Sequence, residues 1–525
     1  MKILITDPVN QQCINILTGE GIEVVFPTGQ SFEELGHAIR EADALIVRSQ
    51  TKVTAELLQA ASKLKVIGRA GAGVDNIDVD AATRRGVIVM NTPGGNTIST
   101  AEHTISLMLA LARNIPQANQ SLKDGKWERS AFIGTELFGK TLVIIGMGKV
   151  GTEVARRCRG FEMTVIAYDP FLTRETAQKV GVEIVSLDDV FERADFISIH
   201  SPLTPETRGL IGASELSKCK RGVRIINCAR GGIVEEMELL KALDQGLVAG
   251  AALDVFEKEP PGDSPLLRHR NVIATPHLGA ATEEAQEKVA IQIAHQVADA
   301  LKGRAIVGSV NADLIQLSLR KDIQPYLTLA EKMGRLIAQI MEGTIRSITA
   351  SATGQLLTDS LNLLSAGVLK DMFESVLSEP VNFLNAPIIA SERRITIQLQ
   401  KEEEHDIYPN TFSVRYETDK ESRTFSGTVF GKKDVRIVNI DGFHFDVRPE
   451  GNLLFYSNID RPGMLASVSG ILARSNINIG GLSLGRYGVG RKALTVVCID
   501  HAISQSILNE IAAIEGVSGV KFTVL

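Results

Sequence analysis

Three side chains of different chemistry, Arg230, Glu259 and His277, each stand shortly after a short apolar run. A guanidinium can grip a carboxylate through two parallel hydrogen bonds and polarise the adjacent carbonyl. An imidazole titrates in the range that lets it accept a proton from an alcohol, and a carboxylate partner would orient the ring and favour its protonated form. Singly, these residues could be a surface ion pair, a loop acid and a helix cap. Together they predict hydride transfer at the carbon next to a carboxylate.

A glycine turn lies upstream of these residues, in the sequence GMGKVG at 146–151. Gly146 permits a tight turn, Gly148 lets the backbone approach a pyrophosphate, and Gly151 lets the following helix pack closely on the strand. The bare pattern could be a mere turn. However, Asp169 ends the next predicted strand, near the offset at which a carboxylate meets the adenosine ribose and repels a 2′-phosphate. The sequence therefore predicts NAD rather than NADP as cofactor.

The elements that must position these groups alternate between short strands and longer helices from Lys2 to about residue 310, which is typical of parallel α/β sheets. We predict two Rossmann-like, doubly wound sheets. The first has strands at 3–5, 45–47, 66–67 and 87–90, and the second has strands at 141–145, 164–168, 196–199, 224–227, 250–253 and 272–274. Helices are predicted at 100–113 and 282–301, and the second of these could return the chain to the first lobe.

Beyond residue 311 the pattern changes to mixed α+β, with a helix at 325–341 and a strand at 411–417. The tail reads β-α-β-β-α-β, a ferredoxin-like order, with strands near 453–457, 477–486, 493–499 and 520–525. We expect four units: a discontinuous substrate-binding lobe at 1–96 and 283–312, a dinucleotide-binding domain at 97–282, an intervening domain at 313–451 and a regulatory domain at 452–525.

The composition limits the classes of partner and the cellular compartment that we expect for this chain. The net charge of −6 is spread over 525 residues without a basic block, so we expect no nucleic-acid partner. The five cysteines are scattered and form no CxxC pair, which argues against a disulfide framework or a zinc site and favours the cytoplasm. The N-terminus carries no secretory pattern, and no apolar run reaches spanning length, so we expect neither export nor membrane insertion.

Three stretches carry a resemblance to a known family. INCARGG at 226–232, LDVF at 253–256 continuing to Glu259-Pro260, and TPHLG at 275–279 resemble the signature stretches of the D-isomer-specific 2-hydroxyacid dehydrogenases. The resemblance implies that Arg230 binds the substrate carboxylate and that Glu259 and His277 form the acid/base pair. It also implies cofactor contacts at Gly146, Gly148, Lys149, Val150, Gly151, Asp169, Thr204, Cys228, Ala229, Asp254, Gly279 and Ala280.

Other stretches resemble the members of that family that act on a phosphorylated hydroxy acid, namely VRS at 47–49, GRAGAGVDN at 68–76 and GKWER at 125–129. A distal phosphate needs cations away from the hydride, and Arg48, Arg69 and Arg129 could supply them. Asn96 resembles a substrate-contacting position. Ala72 stands where some relatives have Thr, which removes a hydroxyl near the cofactor.

The remaining chain resembles the two C-terminal domains of the long forms of these enzymes. NAPIIA at 385–390 resembles an intervening domain, and NIDRPG at 458–463 with NIN at 476–478 resembles an ACT domain that binds amino acids across a dimer interface. The resemblance implies an effector site at Asn458, Asp460 and Asn478, with L-serine as the effector, in a homodimer or homotetramer. Asn458 stands where certain serine-inhibited relatives have His, and many ACT domains only dimerise.

The expected reaction is NAD-dependent oxidation of 3-phosphoglycerate to 3-phosphohydroxypyruvate, the entry to serine biosynthesis. One alternative is a glyoxylate or hydroxypyruvate reductase, against which the extra C-terminal domains argue. Two alternatives from other classes are an NAD-sensing corepressor and an amino-acid-responsive regulator built around the tail.

Overall fold

A computed structural model describes residues 1–27, 31–377, 380–403 and 407–525. Within these ranges the chain forms four β-sheets with flanking helices, and they follow one another along the chain. No helix in the described ranges combines the length and the apolar character that crossing a membrane requires.

The first sheet has five parallel strands in the order β2-β1-β3-β4-β5. Its strands are β1 (Lys2–Ile5), β2 (Glu23–Val25), β3 (Ala44–Val47), β4 (Val66–Arg69) and β5 (Ile88–Met90). Its helices are α1 (Gln11–Gly19), α2 (Phe32–Ile39), α3 (Ala55–Ala60) and α4 (Val79–Arg84). The sequence analysis missed β2, because this three-residue edge strand is only half-buried and shows no long apolar run.

The second sheet has seven parallel strands in the order β12-β11-β10-β9-β6-β7-β8. Its strands are β6 (Thr141–Ile145), β7 (Thr164–Tyr168), β8 (Glu183–Ile184), β9 (Phe196–Ile199), β10 (Val223–Asn227), β11 (Val248–Leu253) and β12 (Val272–Ala274). Its helices are α5 (Thr97–Ala112), α6 (Ile115–Lys123), α7 (Lys149–Arg159), α8 (Arg174–Lys179), α9 (Leu187–Arg193), α10 (Ala213–Lys218) and α11 (Glu236–Asp244), with short 3₁₀ helices at Arg129–Phe132 and Pro265–Arg268. The strand order reverses between β6 and β9, and ligands bind at the carboxyl ends of the strands beside such a reversal.

Helix α12 (Glu283–Leu301) packs on the first sheet although it follows the second in sequence. Val289, Ile293 and Val297 belong to the same apolar core as the β1 side chains. Gly68 on β4 makes the close approach feasible, because a Cβ there would lie 2.6 Å from a Val297 methyl group. After α12, the Val310 N–H donates to the Val89 carbonyl at 2.7 Å, so the returning chain also binds the edge of β5.

The third sheet is mixed, in the order β14-β13-β15-β16-β17-β18, and its core packs against the long helices α14 and α16. Its strands are β13 (Ile345–Ala352), β14 (Thr396–Lys401), β15 (Phe412–Thr418), β16 (Ser422–Phe430), β17 (Asp434–Ile440) and β18 (Phe443–Val447). The helices of this region are α13 (Asp313–Ser318), α14 (Gln324–Ile340), α15 (Gln355–Asp359), α16 (Leu361–Glu374) and α17 (Ala386–Glu392).

The fourth sheet is antiparallel, in the order β20-β21-β19-β22. Its elements are β19 (Asn452–Ile459), α18 (Met464–Arg474), β20 (Ile479–Arg486), β21 (Lys492–Ile499), α19 (Gln505–Ala512) and β22 (Val517–Val524). This succession is the β-α-β-β-α-β order that the sequence predicts. The predicted α/β class, with two parallel-sheet lobes followed by a mixed region and a ferredoxin-like tail, is confirmed.

Candidate active site

A cleft of about 600 Å³ lies at the carboxyl ends of the first two sheets and is lined by residues of both. Arg48, Arg69 and Asn96 face it from the first sheet and the loop before α5, whereas Arg230 and His277 face it from the second. The strand ends that the sequence analysis singled out therefore meet at a single cavity, as expected for an open α/β sheet.

The glycine turn borders this cleft between β6 and α7. Gly146 has φ +94°, and a Cβ there would lie 2.8 Å from the backbone of His200 and Ser201. A Cβ on Gly151 would lie 2.2 Å from the Gly146 carbonyl oxygen, so only glycine lets α7 pack this closely. At Gly148, by contrast, nothing lies within 4 Å of the position of a Cβ, and no side chain caps the helix. The open N-terminus of α7 suits a pyrophosphate.

Asp169 stands at the end of β7 beside this turn. Its Oδ2 accepts a hydrogen bond from the Met147 N–H at 2.8 Å, and its Oδ1 accepts one from the Phe171 N–H at 2.8 Å. The carboxylate is thus fixed next to the glycine turn, where it can accept ribose hydroxyls. Turn, open helix end and carboxylate together fit an NAD cofactor.

His277 and Glu259 form a direct pair. The His277 Nδ1 lies 2.8 Å from the Glu259 Oε2, and the other carboxylate oxygen accepts the Phe256 N–H at 3.1 Å. Burial would raise the pKa of Glu259, but the hydrogen bond and charge of His277 outweigh it and hold the pKa of that carboxyl below its usual range. The carboxylate thus remains ionised and orients the ring, leaving Nε2 to exchange a proton with substrate.

The backbone turn that carries His277 is anchored on Asp254. His277 has φ +54°, an uncommon conformation for a residue with a side chain. The buried Asp254 carboxylate accepts the Leu278 N–H at 2.7 Å, the Gly279 N–H at 2.9 Å and the Thr275 hydroxyl at 2.6 Å. Burial would raise the pKa of Asp254, but hydrogen bonds from His103, Thr275 and the turn lower it overall. Asp254 is therefore a buried, ionised acceptor that fixes the turn.

Arg230 bridges the two lobes. Its Nε donates to the Asp75 Oδ2 at 2.9 Å and its Nη1 donates to the Ala229 carbonyl at 2.7 Å. A Cβ on Gly73 would lie 2.1 Å from Nη2, so the absence of a side chain there makes room for the guanidinium. Nη2 remains available to a substrate carboxylate, as the predicted role of Arg230 requires.

Arg69 and Arg48 lie on the first-lobe side of the cleft. Burial, and secondarily the charge of Arg230, lowers the pKa of Arg69 to about 10. The Arg69 Nε is buried and has no hydrogen-bond partner within the described residues. A guanidinium with a buried, unmet donor at a cavity wall is what an anionic ligand would complete. Arg48 is half-buried, and its Nη1 donates to the Pro8 carbonyl at 3.3 Å.

The other residues that the sequence assigned to the cofactor lie around the same cleft or at its border. Val150, Cys228, Ala229, Gly279 and Ala280 line it. Lys149 reaches across to the first lobe, where its Nζ donates to the Pro93 carbonyl at 3.2 Å. Thr204 is not among the lining residues and instead exchanges hydrogen bonds with Thr207. Burial raises the pKa of the Cys228 thiol to about 12, so this thiol is not a nucleophile.

Arg129 is not brought to the cleft of its own chain, contrary to the expectation that it supplies a cation there. It lies on the 3₁₀ helix after α6, against a surface hollow lined by Lys126 and Trp127. The reason is that the segment after α6 runs over the outer surface of the second lobe, where the Trp127 side chain is 77% exposed.

The three predicted effector residues lie on or directly beside strands of the fourth sheet and bind groups of their own chain. Asn458 is buried on β19, and its amide donates to the Ile459 carbonyl at 2.9 Å. Asp460 forms an ion pair with Arg486 at 3.1 Å, and the Asn478 amide donates to Asp500 at 2.8 Å. The structure leaves their effector role a prediction.

The sequence analysis did not assign roles to Asp75, His103 and His200. Asp75 pairs with Arg230 over 155 positions, and His103 lies 3.1 Å from Asp254 over 151 positions, so no local pattern could reveal either contact. His200 lines the cleft, and burial lowers its pKa to about 4, which leaves the ring neutral. Only its place after β9, at another strand end, could have signalled it.

Family models match three parts of the chain. Residues 105–279 match the NAD-binding domain of D-isomer-specific 2-hydroxyacid dehydrogenases, residues 322–441 match the D-3-phosphoglycerate dehydrogenase intervening domain, and residues 452–516 match the ACT domain. The glycine turn, Asp169, Arg230, Glu259 and His277 all lie within the first match.

Curated relatives match over the whole length. The chain is 44% identical to the D-3-phosphoglycerate dehydrogenase of Archaeoglobus fulgidus over 98% of both chains, and 40% identical to that of Bacillus subtilis over 99% of both. The two lobes are similar to a D-lactate dehydrogenase from Aquifex aeolicus complexed with NAD and lactic acid, with a TM-score of 0.52 and 30% identity over 57% of this chain and 96% of that one. The chain therefore belongs to the D-isomer-specific 2-hydroxyacid dehydrogenase family, in the group of its full-length D-3-phosphoglycerate dehydrogenase relatives.

Proposed function

We propose that the chain oxidises D-3-phosphoglycerate to 3-phosphohydroxypyruvate with NAD, the first step of L-serine biosynthesis. The observation that carries the proposal is the cleft in which the His277–Glu259 pair, Arg230 and Arg69 converge. The full-length similarity to enzymes named for this substrate supports it.

In this proposal the substrate carboxylate binds Nη2 of the Arg230 guanidinium, which also polarises the adjacent carbon–oxygen bond. NAD supplies a hydride acceptor when bound. As the C2–H bond breaks and its electron pair leaves with hydrogen, His277 Nε2 takes the hydroxyl proton and a C2=O bond forms. Glu259 stays ionised opposite Nδ1 and stabilises the imidazolium. In the reverse direction the same imidazolium returns the proton.

The substrate phosphate lies against Arg69 and Arg48. Arg69 contributes a buried, unmet Nε donor, and Arg48 contributes a second cation on the same wall. Because Arg129 lies outside this cleft, the proposal does not rest on it. A dianionic phosphate would satisfy the unmet donor and lessen the repulsion between Arg69 and Arg230.

The lobe boundaries that the sequence predicts, with 1–96 and 283–312 holding substrate and 97–282 holding NAD, are part of the proposal. The packing of α12 on the first sheet supports the discontinuous lobe. Residues 313–451 form the intervening domain and 452–525 the regulatory domain.

The test is a substrate panel. NADH formation is measured with 3-phosphoglycerate, D-glycerate and D-lactate, for the unaltered chain, for Arg69→Gln and for the control Arg84→Gln. Arg84 is exposed on α4 and pairs only weakly with Glu392, at 3.8 Å. We expect the unaltered chain and the control to prefer 3-phosphoglycerate, and Arg69→Gln to lose that preference by about 10-fold to 100-fold, the effect of losing a hydrogen bond to a charged group. A preference of the unaltered chain for an unphosphorylated acid contradicts the proposal.

Assays of the reverse reaction, with NADH and 2-keto acids, separate the alternatives. Faster reduction of glyoxylate or hydroxypyruvate than of 3-phosphohydroxypyruvate would indicate a reductase. Negligible turnover together with NADH-dependent assembly would indicate a corepressor-like binding protein.

The proposal also covers the assembly of the chain, its effector and its cellular location. We propose a cytoplasmic homodimer or homotetramer in which L-serine binds the fourth sheet at Asn458, Asp460 and Asn478. The ACT match and the free cysteines support this. Light scattering gives the assembly, and serine titration of the rate gives the effector response. A rate that does not change with serine, or that Asn478→Ala leaves equally inhibited, contradicts the effector site.

A further inference from the structure

Helix α5 presents three polar side chains to the turn that carries His277. The Ser99 hydroxyl donates to the Gly279 carbonyl at 2.8 Å and the Thr100 hydroxyl donates to the same oxygen at 3.0 Å. His103 Nε2 lies 3.1 Å from the Asp254 Oδ1 and 3.1 Å from the Thr275 hydroxyl. His103 is four positions from Ser99 and three from Thr100, and residues three or four positions apart share a helix face, so the three groups act on one side of α5.

These contacts complete the anchoring of the turn. Asp254 holds the N–H groups of Leu278 and Gly279, and α5 holds the Gly279 carbonyl from the other side. The backbone on both sides of Gly279 is therefore fixed. His277, with its positive φ, lies two residues away and owes its orientation to this fixed segment and to Glu259.

The other end of α5 is tied to the first lobe. Asn96, which lines the cleft, is the N-cap residue of α5. Just before it, the Thr92 N–H donates to the Gly71 carbonyl at 3.0 Å and the Asn91 amide donates to the Ala72 carbonyl at 2.5 Å. The loop at 71–73 lies against Arg69 and Arg230. One continuous helix thus runs from the substrate wall of the first lobe to the acid/base turn of the second.

We propose that the polar face of α5, formed by Ser99, Thr100 and His103, is a positioning device that aligns His277 when the first lobe contacts substrate. His103 is the central group because it acts on Asp254, which in turn holds the turn. These residues do not touch the reacting atoms in this proposal. The inference deepens the proposed function and rests on the assignment of His277 as the acid/base group.

Loss of His103 leaves Asp254 with its three other donors, so we expect the variant to fold. The cost falls on alignment, because one constraint on the Asp254 carboxylate is gone. A misplacement of about 1 Å from a residue outside the chemistry can cost about 100-fold in rate. The expected signature is a loss of kcat without an equal loss of binding.

The experiment compares His103→Leu, His103→Gln and the control Ser106→Ala. Gln offers an amide donor at a similar reach, and Ser106 lies on α5 with its hydroxyl bonded only to the Glu102 carbonyl of the same helix. The measurements are kcat, KM, NAD affinity by calorimetry, melting temperature and the isotope effect with C2-deuterated substrate. The substrate is whichever D-2-hydroxy acid the unaltered chain oxidises fastest, so a failure of the phosphoglycerate assignment does not affect this test.

For His103→Leu we expect kcat to fall between about 10-fold and 100-fold. We also expect the isotope effect on kcat to rise, because hydride transfer becomes rate-limiting, with NAD affinity within about threefold of the unaltered chain. His103→Gln should recover most of kcat, and Ser106→Ala should change nothing. An unchanged kcat and isotope effect in His103→Leu overturns the proposal. So does a loss that His103→Gln shares in full, or one that appears only as weaker NAD binding.

The double variant Ser99→Ala with Thr100→Val tests the other half of the contact. It removes both hydroxyl donors to the Gly279 carbonyl and leaves Asp254 and His103 in place. We expect a smaller fall in kcat with the same rise in the isotope effect. A double variant with the kinetics of the unaltered chain would remove these two residues from the device and overturn the proposal in its stated form.

Discussion

The catalytic cleft and the predicted effector site of the fourth sheet differ in how their polar groups are satisfied. In the cleft, neither the buried Arg69 Nε nor the Arg230 Nη2 has a hydrogen-bond partner within the described residues. In the fourth sheet, Asp460 is paired with Arg486 and Asn478 with Asp500. A buried donor without a partner costs free energy unless a ligand completes it.

The difference shows which of the two sites is already formed within a single chain before a ligand binds. The cleft is assembled by two lobes of the same chain, so its groups are already aimed at a shared cavity. The predicted effector residues hold their own sheet and its loops together, and any effector must compete with those contacts. Substitutions in the cleft should therefore change the rate strongly, whereas those in the fourth sheet should change stability or the serine response.

The largest expected effect is that of His277→Ala. Loss of the proton acceptor should lower kcat between about 100-fold and 10,000-fold, the usual contribution of general acid–base catalysis. NAD should still bind, because the glycine turn and Asp169 are untouched. Steady-state rates and calorimetry check this, with His501→Ala, an exposed histidine of the tail, as control. Equal losses of kcat in both variants would contradict the expected difference between the cleft and the fourth sheet.

A somewhat smaller effect is expected for Arg230→Lys. Lysine keeps the charge but loses the planar fork, so it cannot hold both Asp75 and a carboxylate in the same plane. We expect kcat/KM to fall about 100-fold, the equivalent of roughly 2.7 kcal/mol of transition-state stabilisation. The matched control is Arg486→Lys, which alters the corresponding ion pair of the fourth sheet. A comparable loss in the control would show that the ion-pair chemistry, rather than the cleft, matters.

Much of the cleft could be predicted because its groups follow strands. Arg230 and His277 come shortly after apolar runs that the sequence marks as β10 and β12, and parallel strands bring their carboxyl ends to one edge. The alternation of strands and helices in the two lobes and the β-α-β-β-α-β order of the tail could also be predicted. The two short edge strands, β8 with two residues and β2 with three, could not be predicted.

The contacts that hold the catalytic turn could not be predicted. His103 and Asp254 lie on a helix and a strand that are 151 positions apart, and only the packing of α5 on the second sheet brings them within 3.1 Å. Arg129 is the reverse case, a residue that the sequence assigned to the site and that the structure places elsewhere. Its type and motif suit a phosphate, but it lies on an outer segment away from the cleft. Residue type predicts chemistry, but packing decides which groups meet.

A pH-dependent effect on stability is expected for Asp254→Asn. The folded chain holds the pKa of Asp254 below the usual range of an aspartate, so its stabilising contribution is fully present above that range. The contribution is lost as the pH falls through the lowered value. We expect Asp254→Asn to reduce the melting temperature of the lobes at pH 7, because Asn cannot accept from both sides of the turn. The difference from the unaltered chain should shrink below about pH 4.

A difference in melting temperature that is constant from pH 7 to pH 3 would contradict this prediction. Asp460→Asn provides the control in the fourth sheet. Its ion pair with Arg486 is partly exposed, so its loss should change stability by no more than about 1 kcal/mol.

The smallest expected effects lie in the fourth sheet and compare two asparagines. Asn458 is 5% exposed and bonded within β19, whereas Asn478 is bonded to Asp500 at the surface. Asn458→Ala should destabilise the tail by about 1 kcal/mol and Asn478→Ala by less than about 0.5 kcal/mol, with basal kcat unchanged in both. Urea unfolding of the full chain, followed by a probe in the tail, measures these values. If either variant lowers basal kcat, the fourth sheet influences the catalytic cleft even without an effector. The contrast between the two regions would then be wrong.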